Sequence, residues 1–180
     1  MYFTTGHTIY GVSSKGKEVL KYDMNVSEKL KGLIVTESEI WVSGDYIVSS
    51  LKYTPGQKPT EKDYFLASNK INYMTIGNIS GELINNPILG CQDKSIYVLK
   101  GDEVLYKVAV ASPVTVLEPY EKNFFFYGCT DGFIGVVQLG RESGKNHWVV
   151  SENKSSVIAL KIFEFFNVLS VANDRKERRI

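Results

Sequence analysis

The sequence predicts an all-β fold of short antiparallel strands arranged in repeated units, and three observations carry that reading. The 180 residues hold 19 valines, 14 isoleucines and 22 aromatic residues against five alanines, side chains that suit a pleated, half-buried surface. A word of strand, polar turn and strand recurs four times, and the stretches between copies break into further short apolar runs bounded by turn residues. At 43% hydrophobic and 23% charged residues, the composition is that of a chain that folds.

The repeated word runs over Thr5 to Val12, Gly90 to Leu99 and Gly128 to Val137, with a looser copy at Val42 to Val48. With Ile9, Ile47, Ile96 and Ile134 as equivalent points, subtraction of their numbers gives separations of 38, 49 and 38 residues. In the long interval, Thr54 to Lys62 carries two prolines, a glycine and charges, which predicts an inserted surface loop of about nine residues.

The remaining elements follow in order. Glu18 to Tyr22 is a further short strand between the repeat points. Gly32 to Thr36, Glu39 to Val42 and Tyr64 to Ala67 complete the second copy, and Tyr73 to Ile76 and Glu103 to Val110 flank the third. Val114 to Leu117, Asn123 to Tyr127 and His147 to Val150 complete the fourth. Val157 to Phe166 is too brief an apolar run to separate a strand pair from a short helix. After Phe166 the pattern fades, so residues 167–180 are expected to form a charged, frayed tail outside the repeats.

About four strands in each unit of roughly 40 residues is the signature of a β-propeller blade of the WD40-like kind. The prediction is therefore a partial β-propeller of about four blades over residues 1–166. Four blades also admit a small closed ring, but strand-like sequence begins at residue 2 and the far end is ragged, so a segment of a larger propeller is the expectation.

With 21 basic against 20 acidic residues the net charge is +1, which predicts no strong attraction to nucleic acid or anionic membrane. The opening Met1-Tyr2-Phe3-Thr4 has neither a basic nor an apolar leader segment, and two cysteines are too few for a disulfide scaffold, so an intracellular chain is expected. The longest apolar stretch, Ser156 to Ala172, is interrupted by Lys161 and Glu164, so no membrane span is predicted.

Candidate chemistry is sparse. Asp93 and Asp131 share one phase of the repeat and Asp45 lies close to it, which invites a ring of carboxylates around a cation. Short acids at hairpin turns bond their own backbone, however, and these sites lack the closely spaced oxygen ligands of a calcium loop. Cys91 and Cys129 lie one repeat apart and read as small core residues, while His7 and His147 pair with neither at a zinc-ligand spacing. No glycine-rich phosphate loop occurs. The run Phe124 to Tyr127 reads as a strand buried on both faces in preference to a base-stacking platform. The tail cations Arg175, Lys176, Arg178 and Arg179 are broken by Asp174 and Glu177 and read as solvated. No catalytic, cofactor-binding or metal-ligating residue is assigned, and no cofactor is expected.

Several longer words carry a resemblance. Ile9 to Lys17, Asp63 to Asn72, Leu89 to Gly101 and Tyr127 to Leu139, followed by His147-Trp148, resemble in order and spacing the N-terminal β-propellers of the Bardet–Biedl syndrome 7 family. The match extends over about residues 2 to 165. The resemblance implies a non-enzymatic scaffold within the BBSome, an adaptor coat that moves membrane proteins into and out of cilia with intraflagellar transport. It implies other BBSome subunits as partners, ciliary cargo reached indirectly, and no nucleic acid or direct membrane insertion. It places the protein in the cytoplasm, at the basal body and in the cilium, peripheral to the ciliary membrane through the complex. It also implies a longer family chain with propeller sequence before Met1 and further domains after the propeller. The alternative is a propeller enzyme or glycan-binding module whose ligand sits in an axial funnel.

Overall fold

A computed structural model describes residues 1–78, 86–120, 123–140, 144–151, 154–163, 168–173 and 177–179, with the side chains of 144–151 and 177–179 outside the description. All its regular elements are strands, in five sheets that follow one another along the chain, each an antiparallel meander. The first sheet is β1 (Tyr2–Thr5), β2 (Thr8–Val12) and β3 (Glu18–Asp23). The second is β4 (Gly32–Val35), β5 (Glu39–Ser43), β6 (Ile47–Lys52) and β7 (Thr60–Leu66). β8 (Ile71–Gly77), β9 (Asn86–Cys91), β10 (Ser95–Lys100) and β11 (Glu103–Ala109) form the third. β12 (Val114–Pro119), β13 (Phe124–Cys129), β14 (Phe133–Leu139) and β15 (Gly144–Ser151) form the fourth. The fifth is β16 (Val157–Ile162), β17 (Val168–Ala172) and β18 (Glu177–Arg179).

Three expectations are corrected. Four repeat copies were legible where five sheets exist, because the fifth lacks the turn word: its strands β17 and β18 carry the residues read as a frayed tail, and β18 pairs with β17 from Val171↔Glu177 to Leu169↔Arg179. β18 is the edge strand of its sheet, a position where charged residues are common, so charge alone did not mark disorder. The ambiguous run after Val157 is a strand as far as Ile162. The inserted loop is shorter than nine residues, since Thr60, Glu61 and Lys62 already pair in β7 with Lys52, Leu51 and their neighbours.

The isoleucine register needs a further correction. Ile9 faces Thr4, Ile96 faces Gly90 and Ile134 faces Gly128 across their hairpins, and all three are buried against the following sheet. In the second sheet the residue at that register is Val48, opposite Ser43. Ile47 lies one residue earlier and packs back on Ile9 and Leu20 of the first sheet. Side chains alternate between faces along a strand, so a slip of one residue exchanges the two surfaces. Both Ile47 and Val48 are buried, so residue identity could not distinguish them.

The chain divides into two compact units, Met1–Ile71 and Asn72–Ile180. In the first, Ile9 and Leu20 of one sheet meet Ile40, Val42 and Leu51 of the next. In the second, Ile88, Ile96 and Val98 of the third sheet meet Val114, Phe125 and Tyr127 of the fourth. The opposite face of the fourth sheet, with Phe126, Ile134 and Val136, meets Val157, Leu160 and Val168 of the fifth. The aromatic run is thus buried on both sides, Phe125 and Tyr127 one way and Phe126 the other.

Two features recur at the sheet junctions of this second unit. A Cβ added at Gly90 would come 2.5 Å from Val114 Cγ1, and one at Gly128 would come 2.7 Å from Val157 Cγ1, so the first valine of each incoming sheet packs against bare backbone. Asn72 Nδ2 donates to the carbonyl of Val114 at 3.0 Å, and Thr115 Oγ1 donates to that of Val157 at 2.5 Å. Each sheet is fastened to the next at the same place.

Candidate functional site

The turn acids are occupied by structure. Asp93 Oδ1 accepts from the Ser95 amide at 3.2 Å, and Asp131 Oδ1 accepts from the Phe133 amide at 3.3 Å, the same bond two residues ahead in both copies. Asp93 also accepts from the Tyr97 hydroxyl at 2.7 Å. The left-handed position after each acid falls on Lys94 (φ 62°) and Gly132 (φ 89°). These are hairpin turns closing on themselves, as their residue types predict.

Asp45 lies in the corresponding β5–β6 turn but is held differently. Its carboxylate takes Lys31 Nζ at 2.5 Å and Lys70 Nζ at 3.7 Å, and the bond from Lys31 holds its pKa below the ordinary carboxylate value. The turn it occupies is capped from outside: Glu28 Oε2 accepts from the backbone amides of Asp45 and of Tyr46, the latter at 2.9 Å. The Glu28 carbonyl lies 2.9 Å from His7 Nδ1. The connector between β3 and β4 therefore ties two hairpin turns of the first unit together, and His7 is part of that tie. The side chain of His147 lies outside the described residues.

Cys91 and Cys129 are wholly buried, and burial pushes each thiol up to about 12. Cys129 Sγ donates to the Ser112 carbonyl at 3.3 Å. Neither thiol has thiolate character near neutral pH. Among the described residues no three His, Cys, Asp or Glu side chains gather closely enough to hold a metal ion. No helix of the described residues is long and apolar enough to cross a membrane. Of the tail cations, Arg178 and Arg179 fall in β18, while Arg175 and Lys176 lie outside the described residues.

Residues 1–170 match the family described as the BBS7 beta-propeller. The chain belongs to that family. The BBS7-family chain is 26% identical over 160 residues to the Mus musculus protein named "BBSome complex member BBS7", covering 86% of this chain and 22% of that relative. It therefore spans about a fifth of the relative's length. Solved structures with the same fold include the computationally designed Ika8 protein, at 16% identity and a TM-score of 0.72, covering 99% of this chain and 56% of that one. Hsv2 of Kluyvelomyces marxianus is similar at 14% identity and a TM-score of 0.73, covering 99% and 55% of the two chains.

One feature of the BBS7-family chain was not legible in its sequence. A cavity of about 600 Å³ opens between the β2–β3 and β6–β7 loops of the first unit, with Tyr2 and Tyr53 among its lining residues. The two phenol oxygens are 3.1 Å apart and the rings meet edge to face at 6.0 Å. The two tyrosines lie 51 positions apart and neither belongs to the repeated word, so no local motif announces them.

Proposed function

We propose that this chain is the propeller portion of a BBSome subunit and acts as a non-enzymatic scaffold, presenting sheet edges and loops to other BBSome subunits. The observation that carries this reading is the family match from residue 1 to residue 170, which takes in the first four sheets and reaches into the fifth. The name of the mouse relative, a BBSome complex member, supplies the assembly. The internal use of the turn acids and both cysteines in hairpins and core agrees with a scaffold. Ciliary cargo is reached through the complex, without nucleic acid and without insertion of this chain into the membrane. The protein accordingly resides in the cytoplasm, at the basal body and at the cilium, peripheral to its membrane.

The test is affinity purification of the tagged chain from ciliated cells, with mass spectrometry of what is recovered. Enrichment of other BBSome subunits over an untagged control is the expected result. Recovery of the chain alone, from cells in which the complex is intact, would overturn the assignment.

A further inference from the structure

The cavity bounded by the β2–β3 and β6–β7 loops has the size of a small-ligand site and a floor of unusual hydrogen-bonding character. Tyr2 and Tyr53 face each other through their hydroxyls. Two facing phenols place one hydrogen between their oxygens and leave the second without an acceptor among the described residues. Tyr53 is only 5% exposed. Its bond to Tyr2, followed by burial, pushes the Tyr53 pKa up to about 12, so its hydroxyl keeps its hydrogen at neutral pH.

The walls are apolar at Val19 and Pro55, and Lys17 and Ser13 stand at the side. Val19 is half exposed although it sits in a strand. Lys15 and Lys17 of the β2–β3 loop and Lys58 of the β6–β7 loop are exposed and make no ion pair among the described residues; of these Lys17 lines the cavity, where Glu18 is the acid. Phenol hydrogen, ammonium groups and apolar walls together suit a carboxylate carried on an apolar stem.

We propose that this cavity is a docking site for an acidic, extended peptide segment of a partner protein, with one Glu or Asp carboxylate accepting from the Tyr2–Tyr53 hydroxyl pair while Lys17 faces the same charge. A free carboxylic acid with an aliphatic tail presents the same chemistry, so the test must separate the two sources. The site is independent of the BBSome assignment, which stands or falls on copurification.

The experiment uses the whole 180-residue chain, ¹⁵N-labelled, titrated with the capped peptide acetyl-Gly-Leu-Glu-Glu-Leu-Gly-amide, with its Gln-Gln counterpart, and with hexanoate. The expected result is saturable shifts of loop amides in Ser13–Val19 and Tyr53–Gly56 with the Glu peptide. The Gln peptide should bind about tenfold more weakly, the scale of one charge-assisted hydrogen bond. Lys17→Gln, an exposed change that leaves the core alone, should cost a similar factor, and Tyr53→Phe should do so if it folds. Equal binding of the Glu and Gln peptides, shifts elsewhere on the protein, or no binding of the Glu peptide would overturn the proposal. Shifts with hexanoate and none with the Glu peptide would overturn the peptide assignment in favour of a small-acid site.

Discussion

Single side chains in this protein are held by contacts that make definite chemical and energetic statements. Cys91 and Cys129 are 0% exposed with thiols pushed up to about 12, so neither should be labelled by a water-soluble disulfide reagent at pH 8 in the folded protein. Two equivalents should react at once in denaturant. Rapid native labelling of either would show that its strand opens or that burial is wrong. Gly128 makes the complementary statement about space. An added Cβ would sit 2.7 Å from Val157 Cγ1 and 2.8 Å from its Cβ, and Val157 is fully buried. Gly128→Ala should therefore destabilise the protein by about 1–3 kcal/mol through overpacking, read as a lower urea midpoint. A smaller effect is expected at Gly56, which has open space around it and only its φ of +83° to lose.

Elements are joined by polar fasteners whose removal can be predicted in the same way. Thr115 Oγ1 donates to Val157 O, and Gly128 O also lies within 3.1 Å of it, so one hydroxyl spans β12, β13 and β16. Thr115→Val keeps the shape and strands the Val157 carbonyl, which should cost about 1–2 kcal/mol, whereas Thr115→Ser should retain most of the stability. In the first unit, Asp45 has its pKa lowered chiefly by its bond from Lys31, so its contribution to stability is present above the ordinary carboxylate range and fades as pH falls through the lowered value. The pair is solvent-exposed, so the contribution stays below about 1 kcal/mol. Asp45→Asn should thus flatten the acid limb of the stability curve and leave its shape above pH 6 unchanged. An acid limb of unaltered slope would assign the pH dependence to other groups. At this scale the sequence was most informative where one residue type has one physical reason to be present. The Asp at the β9–β10 and β13–β14 turns and the two-sided burial of Phe125 and Phe126 were read correctly because turn chemistry and apolar runs are local. The Ile47 register was misread because β6 is buried on both faces and offers no alternation to count. The Tyr2–Tyr53 cavity was missed because it joins two loops whose proximity is a property of neighbouring sheets.

Across the whole molecule, burial within each sheet follows strand position. In the second, third and fourth sheets the two middle strands are enclosed: β6 is buried from Ile47 through Leu51, β9 and β10 almost throughout, and β13 and β14 nearly so. The last strands of the first three sheets tell the opposite story, since β3, β7 and β11 are exposed at most positions and carry Lys and Glu along them. Such charges on a strand at a sheet edge discourage pairing with other chains while leaving side chains free to meet specific partners. Protection from hydrogen exchange should follow this gradient. Amides that bond between the middle strands are expected to exchange slowest, at rates set by opening of a whole sheet, and those of β3, β7 and β11 fastest, through local fraying. Because the gradient repeats from sheet to sheet, the same ranking should appear in the first unit, where β5 and β6 outlast β7, and in the second, where β9 and β10 outlast β11. Exchange followed by mass spectrometry of peptic fragments would resolve these strands individually. If β7 or β11 proved as slow as β6 or β10, the outer strands would be covered in solution by something beyond this chain's own sheets, and their charged faces would have to be reassigned from solvent to an interface.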